Sequence, residues 1–207
     1  MKIYPLLRES IWFASWWWRV EIRRGQALSP IIIFLLSLFL LGGMVQIREK
    51  VPDIILRLIF WTNYFYSLFL TLPRALLERR PEEWRWIYYS VSESGGLGGL
   101  WLYALSWTLS LGLVMKWGVK ILWDYYVPLH TTWLGGGIIA FPLLLITFIS
   151  AKAEVSYAIT AVLVFPVVFL ALLSLVLSPI PSLFSLIGIW VGESLLLLLL
   201  GPYVWRN

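Results

Sequence analysis

The chain contains no cysteine. That excludes disulfides, thiolate metal sites and cysteine nucleophiles, and leaves no side chain here for thiol redox chemistry. It has one histidine, His130, so no pair of histidines exists at metal-binding spacing. Charge is scarce as well. Charged residues make up 13% of the 207 residues, about half the fraction usual in soluble domains. Also missing are a Walker phosphate loop and a Ser-His-Asp arrangement. Neither Gly95-Gly96-Leu97-Gly98-Gly99 nor Gly135-Gly136-Gly137 is followed by Lys-Ser or Lys-Thr. Glycines at the mouth of a membrane helix instead favour close helix packing or hinging.

What the chain has in quantity is apolar surface: 60% hydrophobic residues and a mean hydropathy of +0.84. A span needs about 20 mainly apolar residues to cross a hydrocarbon layer of about 30 Å. Six stretches qualify. They run from about Leu28 to Met44, Ile54 to Leu72, Leu97 to Met115, Trp133 to Ser150, Val155 to Leu177 and Ser182 to Tyr203. Ser178-Pro179-Ile180-Pro181 separates the last two, because neighbouring prolines cannot continue a helix. No linker interrupts the pattern, so residues 1–207 form one all-α integral membrane domain.

Basic residues near span ends favour the cytoplasmic side. Lys2, Arg8, Arg19, Arg23, Arg24, Arg74, Arg79, Arg80, Arg85, Lys152 and Arg206 fall on one side, against Arg48, Lys50, Lys116 and Lys120 on the other. The expectation is a multi-pass protein with both termini cytoplasmic. A net charge of +5 then reflects basic loops meeting anionic lipid, not nucleic acid.

Residues 1–26 are too charged to span and lack a signal-peptide cleavage pattern. They read as an interfacial amphipathic helix, with Ile11, Ala14, Trp18 and Ile22 on one face and Ser15, Arg19 and Arg23 on another. The fourteen tryptophans read as an interfacial belt rather than a heme platform, since Trp16-Trp17-Trp18 leads into basic residues and not into the aspartate of a Trp-Trp-Asp signature.

Residues 73–94 concentrate charge between the second and third spans. Glu78, Arg79, Arg80, Glu82, Glu83, Trp84 and Arg85 form the candidate docking surface, with Pro81 opening a short helix in which Trp84, Ile87 and Tyr88 share a face. Glu193, between Gly192 and Ser194, is the one carboxylate deep in a span and the candidate intramembrane polar site. His130, beside Asp124, Tyr125, Tyr126 and Thr131 in the expected outer loop, reads as an ordinary interfacial residue rather than an iron ligand.

The segment order resembles the CcmB family of heme exporter permeases, the membrane components of an ABC transporter in cytochrome c maturation. Val20-Glu21-Ile22-Arg23-Arg24-Gly25-Gln26-Ala27-Leu28-Ser29 is similar to that family's approach to its first span. Ser150-Ala151-Lys152-Ala153-Glu154 followed by Val164-Phe165-Pro166-Val167 resembles its basic hinge and proline-containing fifth span. Glu78, Arg79, Arg80 and Glu82 match its cytoplasmic loop in character, whereas Glu83-Trp84-Arg85 stands where glycine is usual and Ser90-Val91-Ser92 where Ser-Pro is usual.

The resemblance implies an ABC-2 type permease with six spans in the bacterial inner membrane. It would have no catalytic residues of its own and would pair with a CcmA-like ATPase through residues 78–85. It would work beside CcmC-like and CcmE-like proteins, with heme as the handled substrate and no resident cofactor or metal. The alternatives are an ABC-2 type permease for lipid, polysaccharide or drug, and a structural membrane protein that transports nothing.

Overall fold

In the computed structural model the described residues are 3–24, 32, 36, 52–77, 87, 91–152 and scattered positions between 159 and 195. Every element among them is helical: α1 (Ile3–Arg24), α2 (Asp53–Leu77), α3 (Glu93–Trp123) and α4 (Leu129–Lys152). Three of the four are long and apolar enough to cross a membrane, within Asp53–Pro73, Ser94–Trp123 and Leu129–Ser150. Hydrocarbon offers no partner for backbone polar groups, so a chain this apolar satisfies them internally, and the helix does so within one segment. The chain is a helical membrane protein. Of the expected first, fifth and sixth spans only isolated helical positions are described, among them Ile32, Phe169 and Ile187.

The three membrane helices form an up-down-up bundle. Pro52 starts α2, its carbonyl accepting from the Ile55 and Leu56 N–H groups at 2.9 and 3.2 Å, and Asp53 meets the positive end of the helix dipole. Ser92 caps α3, its hydroxyl accepting from the Gly95 N–H at 3.2 Å. At the far end Asp124 closes α3 in the left-handed conformation (φ 49°), with its N–H donating to the Lys120 carbonyl at 3.0 Å. Residues 124–128 then turn the chain into α4, and so short a connection makes α3 and α4 antiparallel neighbours. α4 is the most enclosed of the three, 72% of its span being buried against 44% in α2 and 50% in α3.

The sequence expects the third span to stop at Met115, before Lys116. The helix runs on to Trp123, because the two lysines are accommodated on it. Lys116 Nζ lies 5.1 Å from the Tyr126 ring and Lys120 Nζ 5.7 Å from the Trp117 ring, and a cation in the last turn also suits the negative end of the dipole. α4 likewise begins earlier than expected, at Leu129, so His130 is an exposed residue of its first turn and not of a loop.

Glycine sets the spacing of the bundle. A Cβ at Gly136 would overlap the Tyr64 ring, one at Gly135 the Trp61 ring, and one at Gly112 would press on Tyr64 and Thr132. The aromatic rings of α2 therefore sit where α3 and α4 offer bare backbone, the small-residue packing that holds helices together when apolar burial gives no preference for protein over lipid. Tyr64 is fully buried at this crossing and its hydroxyl donates to the Thr108 carbonyl at 2.5 Å, tying α2 to α3 at mid-depth.

Gly136→Leu should overpack this crossing and destabilise the bundle by about 1–3 kcal/mol. A lowered midpoint in a detergent thermal melt would register it. Gly188→Ala, at a helical position with open space around it, should leave the midpoint unchanged.

Candidate functional site at the start of α3

The residues that the sequence singles out for docking, Glu78, Arg79, Arg80, Glu82, Glu83, Trp84 and Arg85, lie outside the described residues, as does Glu193. What is described are the two helices that flank the 73–94 connection, together with Ile87, Val91 and Ser92 near its end. Ile87 is helical and fully buried, and the Val91 N–H donates to its carbonyl at 3.0 Å. The connection is thus anchored into the bundle just before α3 begins.

At that point α1 joins. Glu9 accepts from both the backbone N–H and the hydroxyl of Ser92, the hydroxyl at 2.5 Å, so the cap of α3 is itself held by a carboxylate from α1. The approach is close because Gly95, Gly98 and Gly99 present no side chain. A Cβ at these positions would collide with Glu9, Ser10 and Phe13 respectively. Further along, Trp17 meets Tyr103, and the Trp18 indole N–H donates to the Ser106 hydroxyl at 2.5 Å. Trp18 also stacks on Trp107, centroids 4.5 Å apart at 21°. Partners rise together along both helices, so α1 runs parallel to the first half of α3.

This arrangement corrects the expected face of α1. Its buried stripe is Ser10, Phe13, Ala14, Trp17 and Glu21, whereas Ile11 and Ile22 are 53% and 57% exposed. The physical reason lies in the partner: a glycine-lined groove on α3 accepts large rings, and Phe13 and Trp17 bury more apolar area there than isoleucine would. A uniform tryptophan belt is also not what forms. Trp17, Trp61 and Trp107 belong to the packed interior, while Trp12 and Trp117 point outward. The signal that could have revealed this is the Gly-Gly-Leu-Gly-Gly run, which marks a groove waiting for rings.

No group of three or more metal-capable side chains occurs among the described residues. The chemistry of the site is mechanical, a capped helix start gripped by a second helix. No protein-family profile, no curated protein and no solved structure matches this chain. The functional reading therefore rests on the residues themselves.

The opposite end of the bundle carries Asp53, Arg57, Lys116, Lys120, Asp124 and His130. There the Tyr125 phenol is pushed above its ordinary value by burial, while Arg57 pulls it down and Asp53 raises it. A phenol raised in the folded state supports the fold below about pH 10, and that contribution fades as pH climbs through the folded value.

Two experiments follow. Because the native chain has no cysteine, Ser10→Cys with Gly98→Cys should form a disulfide under mild oxidant, whereas Arg19→Cys with Gly98→Cys should not; a gel shift reads both. In an ultraviolet titration, the phenolate signal removed by Tyr125→Phe should lie above pH 10. It should move higher still in Arg57→Gln and lower in Asp53→Asn.

Proposed function

We propose that this chain is the membrane permease component of an ABC transporter similar to the CcmB heme exporter, in the bacterial inner membrane. It would couple ATP hydrolysis by a separate CcmA-like protein to heme handling, or to release of a heme-loaded chaperone, alongside CcmC-like and CcmE-like proteins. The observation that carries the reading is the grip of Glu9 on Ser92. A charged connection that receives a push from an ATPase must hand it to the membrane helices without slack, and here its last residues are fastened to α1 and to the start of α3 at once.

On this reading residues 73–94 form the coupling loop, with Glu78, Arg79, Arg80, Glu82, Glu83, Trp84 and Arg85 as the ATPase contact. The ends of α2 and α4, with Arg74 and Lys152, and the start of α3 face the cytoplasm. α3, at 31 residues, is about 46 Å long, some 16 Å more than the hydrocarbon needs. The exposed Arg8, Arg19 and Arg23 of α1 require water or headgroups.

The test is copurification. The tagged protein solubilised in mild detergent should bring down an ATPase together with cytochrome c maturation proteins. Reversing charge at Glu82, Glu83 and Arg85 together should release the ATPase. An ATPase accompanied by no heme-maturation protein would redirect the reading to another ABC-2 substrate, and no ATPase at all would reduce the chain to a structural role.

A further inference from the structure

α1 sorts its charges by face. Its two carboxylates are taken up by the bundle, Glu9 at the Ser92 cap and Glu21 at a position only 6% exposed, while Arg8, Arg19 and Arg23 are exposed. At 100° per residue these arginines fall within about 60° of one another, across the helix from the stripe of Ser10, Phe13, Ala14, Trp17 and Glu21 that packs on α3. Leu7, Ile11 and Ile22, exposed as well, run as a second strip along one edge. Arg19 donates to Ser15 of its own helix, at 3.3 and 3.4 Å, and among the described residues no carboxylate meets it.

Depth decides what this strip can face. α1 rises with the first half of α3, and Trp18 meets Ser106, which lies about 21 Å along α3 from Ser92. Arg23, farther along α1 than Trp18, is then about 28 Å from Ser92. α3 is about 46 Å long and the hydrocarbon about 30 Å thick. Even with all of the excess on the Ser92 side, Arg23 lies about 12 Å inside the hydrocarbon, too deep for its side chain to snorkel out. An exposed guanidinium at that level meets water or an anion, not acyl chains. At about the same depth α3 presents Leu113 and Val114, 40% and 46% exposed, a surface suited to lipid.

We infer that the outward face of α1 lines a water-filled cleft that enters the membrane from the Ser92 side and draws in small anions, carboxylate, phosphate or sulfonate in class, along Arg8, Arg19 and Arg23. Guanidiniums at successive depths, with both carboxylates of the helix turned away, give a field of one sign between low-dielectric walls, which concentrates counter-ions. Leu7, Ile11 and Ile22 form the edge at which the cleft meets acyl chains. Such a cleft follows from the packing of α1 on α3 and needs no ATPase partner, so it stands or falls separately from the copurification.

The cysteine-free chain permits a direct test in proteoliposomes, with membrane-impermeant methanethiosulfonates present on both sides. Arg23→Cys should react, whereas Leu113→Cys should react only after the liposomes are dissolved in denaturant. Relative to a free thiol, the anionic sulfonatoethyl reagent should modify Arg23→Cys about tenfold faster than the cationic trimethylammonioethyl reagent, the scale of one unpaired cation a helical turn away. Adding Arg19→Gln should abolish that preference and leave the thiol reactive, which separates lost charge from lost folding, and adding Arg19→Lys should keep it. An unreactive Arg23→Cys would place this face of α1 in lipid, and a Leu113→Cys that reacts as fast in intact liposomes would place both surfaces in bulk water; either overturns the cleft. Equal rates for the two reagents at Arg23→Cys would overturn its preference for anions.

Discussion

Backbone-to-ring contact at glycine is the interaction on which this bundle depends. Six glycines, at 95, 98, 99, 112, 135 and 136, each leave a space already taken by a side chain of a neighbouring helix. In water such contacts would be reinforced by the burial of apolar surface. In lipid they must carry helix association largely alone, through dispersion and the few hydrogen bonds that close approach permits. Tyr64 shows both at once, its ring lying on Gly136 and its hydroxyl reaching the Thr108 carbonyl.

From those contacts the geometry of the rest follows. Gly95, Gly98 and Gly99 draw α1 onto α3 closely enough for Glu9 to reach the Ser92 cap. α1 thereby becomes part of the bundle and binds the end of the 73–94 connection to it. Gly135 and Gly136 seat Trp61 and Tyr64 and so set the register of α4 on α2. The end of the molecule at Ser92 is thus built for mechanical continuity.

Much of this was legible in the chain. Composition alone gives an all-helical membrane protein, and the cores of α2, α3 and α4 fall inside the apolar stretches from Ile54, Leu97 and Trp133. The helix ends were less legible, because a lysine that lies near an aromatic ring does not terminate a span, and Lys116 and Lys120 both do so. The face of α1 was misread because periodicity weighs Ile11 and Trp17 alike, whereas the groove that selects between them belongs to a helix some eighty residues away. The unsatisfied Nη1 of Arg57 appears only once the helices are assembled.

The central claim is that α1 runs along α3 as one unit leading away from the charged connection. Spin labels on cysteines introduced singly into each helix test it directly, one pair at Arg8 and Ser94 and a second at Arg19 and Ser110, all exposed positions. Parallel packing gives short distances for both pairs, the second longer by no more than about 8 Å because Ser94 and Ser110 are five residues farther apart along the chain than Arg8 and Arg19. If the first pair is close but the second lies farther apart by about 16 Å, the rise of eleven helical residues, then α1 leaves the bundle at its start and the brace does not exist.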